Sequence, residues 1–120
     1  MTDNMREDRS DRFSAEPTVV DGVCVVTVRG EVDHAVKDLL TKALRCEDAV
    51  PPRIVVDLGG VTFMDSSGIN VLIAAHQRVT GAQGWLRIAG AQESVRRLLR
   101  LVGVDALIPC HPTVDRAVHA

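Results

Sequence analysis

Aromatic side chains are almost missing from this chain: two Phe, one Trp and no Tyr, 2% of 120 residues. A stacking platform for single-stranded nucleic acid needs aromatic faces, so that class is excluded. Charge of one sign is missing too. Fourteen Lys and Arg stand against sixteen Asp and Glu, a net −2, which gives no electrostatic reason to expect nucleic acid or an anionic membrane as partner. No apolar run approaches the length of a membrane span. Residues Met1 to Glu16 hold no hydrophobic segment of the signal-peptide kind, so a cytoplasmic location is the default expectation. Cysteine is scarce: Cys24, Cys46 and Cys110, with no CxxC spacing. Neither a disulfide framework nor a zinc site is suggested, and the expectation is reduced thiols with Cys24 buried in a strand.

What is present is an aliphatic chain, 46% apolar overall, long enough for one core built from Val, Leu, Ile and Ala. Residues 1–16 mix Asp, Glu and Arg with few large apolar side chains and read as a flexible tail; residues 17–120 read as the domain. Asp21-Gly22 between Thr18-Val19-Val20 and Val23–Val28 is a hairpin signal. Arg29-Gly30-Glu31-Val32-Asp33 reads as a polar turn. The period then becomes helical: Val36, Leu39, Leu40, Ala43 and Leu44 form one apolar stripe. Pro51-Pro52 leads into the strand Ile54–Leu58, and Gly59-Gly60 reads as the turn after it. Val71–Val79 is an apolar helix, and Trp85–Ala89 is a further strand. Val95, Leu98, Leu99 and Val102 mark a helix closed by Gly103. Leu107-Ile108-Pro109 reads as a short edge segment, and Thr113 caps a last helix with Val114, Ala117 and Val118 inward. Strands alternating with helices predict an α/β domain with a mixed sheet.

The chemistry concentrates in Phe63-Met64-Asp65-Ser66-Ser67-Gly68-Ile69, at a strand-to-helix turn. Three readings fit Asp65, Ser66 and Ser67. They cap the helix, whose first N–H groups lack partners; they supply a nucleophilic serine; or they accept a phosphate, which a helix N-terminus tolerates. The nucleophile is the poorest of these. There is no GxSxG elbow, and His76 lies two to three helical turns along. Glu31 and Asp33 serve as an acid–base pair or as a solvated loop that starts the next helix. His34, His76, His111 and His119 have no metal-ligand spacing. The Arg96, Arg97 and Arg100 face reads as solvated, and Gly59-Gly60 lacks any nucleotide-loop context.

Taken together, these residues resemble bacterial anti-sigma factor antagonists of the STAS domain family. Phe63–Ile69 is similar to the family's phosphorylation motif. Gly30-Glu31-Val32-Asp33 is similar to its Gly-Glu-Leu/Ile-Asp turn, Gly84–Ile88 to its Gly-x-Leu-x-Leu strand, and Val95–Val104 to its penultimate helix. The resemblance implies a four- to five-stranded mixed sheet with about four helices on one face. It implies no catalysis. Such a protein binds an anti-sigma factor that is itself a serine kinase, releases the sigma factor, is switched off by phosphorylation, and is restored by a PP2C-type phosphatase. Ser66 is then the acceptor, with Ser67 as runner-up, and Glu31, Asp33, Asp65, Ser67, Gly68 and Asn70 form the partner-binding set. Asn70 departs from the family's usual Gly. No cofactor, metal, nucleic acid or membrane is implied, and the free protein is expected to be a monomer. Within the same fold, the alternative is a STAS-domain subunit of a membrane transport system or stress-sensing scaffold.

Overall fold

The computed structural model describes residues 13–45 and 50–120. The chain runs β1 (Phe13–Val20), β2 (Val23–Val32), a 3₁₀ turn (His34–Val36) into α1 (Lys37–Ala43), β3 (Arg53–Met64), α2 (Ser66–Gly81), β4 (Trp85–Ala89), α3 (Glu93–Leu101), α4 (Val104–Leu107), β5 (Cys110–His111) and α5 (Val114–His119). The five strands lie in sequence order. β1 is antiparallel to β2, and the remaining pairs are parallel. Asp21 and Gly22 both take positive φ, 51° and 79°, the geometry that a two-residue hairpin turn demands.

Alternation along the strands splits the apolar residues between two faces. Val26, Val28, Ile54, Val56, Leu86 and Ile88 face α1 to α4 and form the main core with Leu40, Leu72, Val79, Leu99 and Val104. Four helices on one face match the expected architecture. A fifth, α5, lies on the other face over Val23, Val25, Val55 and Ala89, with Ala117 and Val118 buried there. That second layer follows from β2, β3 and β4 being apolar on both sides over these residues, which leaves a surface that one short helix can cover. Arg87 lies 3.6 Å above the Trp85 ring and donates to the Ala117 carbonyl at 2.8 Å, which fixes α5 to the sheet.

Three expectations are corrected. β1 begins at Phe13, inside the segment read as tail, and Phe13 is buried against the main core; residues 1–12 lie outside the described residues. Arg29–Val32 and Gly59-Gly60 are strand and not turn. The sheet accommodates their glycines through register shifts on both sides of Arg29-Gly30, and Gly30 takes a φ of 97°, as a bulge permits. A Cβ at Gly60 would meet Arg29 Cγ at 2.9 Å, so the glycine lets that side chain cross. The third correction concerns the thiols. Cys24 is disulfide-bonded, while Cys110 is free and burial pushes its thiol pKa up, helped by the nearby Asp105 carboxylate; Cys46 lies outside the described residues. Gly103 does close α3, with a φ of 80°. Thr113 does cap α5 by accepting from the Arg116 N–H at 3.1 Å. The edge segment read at Leu107–Pro109 is displaced to Cys110–His111.

Both edges of the sheet are blunt. β1 carries Pro17, which has no N–H to offer; β5 has two residues. Among the described residues no helix is long and apolar enough to cross a membrane.

Candidate functional site

β2 and β3 are parallel neighbours, with Val32 opposite Met64, and each runs straight into a helical segment. After Val32 comes Asp33, whose Oδ1 accepts from the Ala35 N–H at 3.0 Å. After Met64 comes Asp65, whose Oδ1 accepts from the Ser67 N–H at 2.8 Å. The Asp65 N–H donates to the Val32 carbonyl at 3.1 Å, tying the two turns together. Two aspartate-capped helix entrances therefore stand side by side, on strands about 4.8 Å apart.

The β3 entrance leads into α2, sixteen residues long. Asp65 serves it twice, since its carbonyl also accepts from the Gly68 and Ile69 N–H groups. Ser66 is the first helical residue and is exposed. Because Asp65 is the cap, the Ser66 hydroxyl is not required for capping. Ser67 is half-buried, and its N–H is committed to Asp65. Asn70 is exposed and lies one helical turn after Ser66, on the same side of α2. Glu31 is exposed at the end of β2, opposite Phe63.

The sequence thus brought Glu31, Asp33, Asp65, Ser66, Ser67 and Asn70 to one end of the sheet. Gly68 does not join them at the surface. It is buried, and a Cβ there would meet Met64 Cγ at 2.7 Å and Val32 Cγ1 at 2.8 Å. The glycine lets α2 sit tightly on the strand ends. The acid–base reading of Glu31 and Asp33 also lapses, because Asp33 is engaged as a cap.

The histidine nearest Ser66 along the chain does not serve it as a base. His76 is ten residues along α2, about 15 Å from Ser66 at 1.5 Å per residue. The fold instead places His34 at the position corresponding to Ser66 in the neighbouring entrance, which distance along the chain could not reveal. Among the described residues no hydrogen bond joins His34 to Ser66, and no group of His, Cys, Asp and Glu is arranged to hold a metal ion. What remains is an exposed hydroxyl at a helix N-terminus beside two carboxylates.

Comparison with known proteins identifies the family. The STAS domain profile matches residues 14–117. The anti-sigma-F factor antagonist RsfA of Mycobacterium tuberculosis is 31% identical over 104 residues, covering 83% of this chain and 80% of RsfA. The crystal structure of an anti-sigma factor antagonist from Mycobacterium paratuberculosis superposes with a TM-score of 0.81 at 31% identity, over 91% of this chain and 93% of that one. The Bacillus cell-fate determinant SpoIIAA in its phosphorylated form shares the fold, with a TM-score of 0.61 at 19% identity, over 89% of this chain and 96% of that one. By profile, sequence and fold together, this chain belongs to the STAS domain family and to its anti-sigma factor antagonists.

Proposed function

We propose that this protein is a partner-binding switch that antagonises an anti-sigma factor with serine kinase activity. In its unmodified form it binds that factor through the strand-end surface, and the sigma factor is released. The kinase then phosphorylates Ser66 and binding is lost; a PP2C-type phosphatase restores it. Glu31, Asp33, Asp65, Ser67 and Asn70 frame the contact.

One observation carries this reading: Ser66 is exposed at the first position of a long helix that Asp65 already caps. A phosphate there adds about −1.5 to −2 charges. The helix N-terminus favours the anion, so the fold tolerates it. At an interface the balance is opposite. The new charge sits beside Asp65 and Asp33, and burying it without a partner costs several kcal/mol. Binding is therefore sensitive to the modification while folding is not, which describes a surface switch. Ser67 is the poorer acceptor because it is half-buried.

The test is capture from host lysate with three baits: wild type, Ser66→Ala and Ser66→Asp. The expected result is a kinase-like anti-sigma factor on the first two and its loss on the third. Recovery of the same transporter or scaffold proteins by all three would assign the domain to a fixed assembly and reduce Asp65-Ser66-Ser67 to a helix cap.

A further inference from the structure

Phe63 is 49% exposed, although it lies inside a strand whose neighbours Val61 and Met64 are buried. Of the three aromatic residues, Phe13 is buried and Trp85 lies under Arg87, so Phe63 is the only exposed aromatic. Its position has a structural cause. β4 pairs with β3 only as far as Asp57 opposite Ala89, and β3 continues seven residues further beside β2 alone. Val61 and Met64 both face the main core; the register shift that leaves Thr62 as an extra residue between Val61 and Phe63 breaks the alternation there, so Phe63 takes the side opposite Met64. There α5 covers only Val23, Val25, Val55 and Ala89. Among the described residues, the ring therefore stands on the part of β3 that neither β4 nor α5 covers.

It also stands next to the candidate site. Phe63 is opposite Glu31. It is three residues from Ser66, no more than about 11 Å between Cα atoms. The other large exposed apolar side chains lie elsewhere: Val19 and Val20 on β1, Leu39 on α1, Val50 before β3, and Leu101, Val102 and Leu107 around the α3–α4 junction. The charges near the ring are mainly acidic. Glu31 lies opposite it, Asp33 and Asp65 follow at the strand ends, and Arg29 lies two residues before Glu31 on β2.

We infer that the footprint of the anti-sigma factor does not stop at the α2 entrance but continues over the sheet rim, with Phe63 as its apolar anchor. This inference rests on the function proposed above. The occupant it calls for is a partner surface with an apolar pocket flanked by basic side chains that face Glu31, Asp33 and Asp65. An aromatic ring held on a strand loses little freedom on binding, and such anchors dominate interfaces. The arrangement also assigns separate roles to neighbouring residues. Phe63 supplies affinity, and Ser66 supplies the switch.

The test uses the anti-sigma factor recovered by the wild-type chain, purified and titrated by calorimetry against Phe63→Ala, Phe63→Leu, Ser66→Asp and Leu101→Ala. Phe63→Ala is expected to weaken binding about 30-fold or more. Phe63→Leu should retain most of the affinity, and Leu101→Ala, at the far end of α3, should match wild type. Circular dichroism melting of each variant separates lost affinity from lost folding. If Phe63→Ala binds within threefold of wild type while Ser66→Asp does not bind, the anchor is overturned and the switch stands. If Leu101→Ala weakens binding as much as Phe63→Ala does, the footprint lies elsewhere and the anchor is again overturned. If Ser66→Asp binds like wild type, the switch fails, while the Phe63 variants still decide the anchor. Recovery of no anti-sigma factor by wild type overturns both.

Discussion

The entrances to α1 and α2 are built alike and end differently. Each follows a parallel strand, and each is capped by an aspartate that accepts from the N–H two residues on, at 3.0 and 2.8 Å. Behind Asp33 the chain makes one 3₁₀ turn and a seven-residue helix. Behind Asp65 it makes a sixteen-residue helix directly. The positions after the caps pair as His34 with Ser66, Ala35 with Ser67 and Val36 with Gly68. Capping is common to both entrances, so it does not explain the serines. The β3 entrance is distinguished by small side chains: a hydroxyl outside at Ser66 and a glycine inside that allows close packing.

The sharpest way to break this comparison is to place a negative charge at each entrance in turn. Ser66→Asp is expected to lower affinity for the anti-sigma factor by about 100-fold or more. His34→Asp, at the corresponding position, should cost far less; calorimetric titration gives both values. If the two variants fall together, the contact does not distinguish the entrances.

Next in size is the inner position. Installing at Gly68 the valine that occupies position 36 puts side-chain atoms where Met64 and Val32 already lie. Overpacking of this kind should destabilise the fold by about 2–3 kcal/mol, measured by urea unfolding. Smaller again are the caps. Asp65→Ala is expected to cost about 1–2 kcal/mol and Asp33→Ala about 0.5 kcal/mol, because the longer helix depends on the former. Equal losses would show that helix length does not matter.

The smallest effect lies at the opposite end of the sheet and serves as the control. His119 Nε2 donates to Asp21 Oδ2 at 2.9 Å and Nδ1 to the Asp115 carbonyl at 3.0 Å. Both partners are acceptors, so only the protonated ring satisfies both. The Asp21 hydrogen bond, and then the Asp115 backbone bond, raise its pKa above the ordinary value. The tie is therefore complete below the ordinary histidine value of ~6.5 and is lost as pH rises through the raised one. NMR titration should show the raised His119 pKa, with lower amide protection factors in α5, corrected for the intrinsic exchange rate, once pH exceeds it. His119→Ala should remove that pH dependence and leave partner binding unchanged.

Sequence patterning revealed the elements whose period was unbroken. The hairpin at Asp21-Gly22, the apolar run of α2, the Gly103 stop and the Thr113 cap were all legible because each is a local rule. The continuations of β2 and β3 were hidden. Arg29-Gly30-Glu31 and Gly59-Gly60 carry turn residues, and only the neighbouring strand makes them extended. For the same reason the exposure of Phe63 was invisible, since it depends on where β4 stops. The second layer under α5 could not be read from helix periodicity, which does not say which face a helix covers. The candidate site was legible in composition and order, but not in its duplication, because the partnership of Asp33 with Asp65 is a fact of sheet register.

Pro17 and the two-residue β5 have a consequence for dosage. A sheet with an open edge recruits copies of itself, and recruited copies no longer act individually. Here one edge lacks an N–H in its middle and the other is too short to template a strand. A regulator that works by competing for a single partner acts by stoichiometry, one molecule removing one. Blunt edges remove sheet-edge pairing as a route by which copies would be withdrawn from that competition, so in the function proposed above the count of active molecules is left to synthesis and to the state of Ser66.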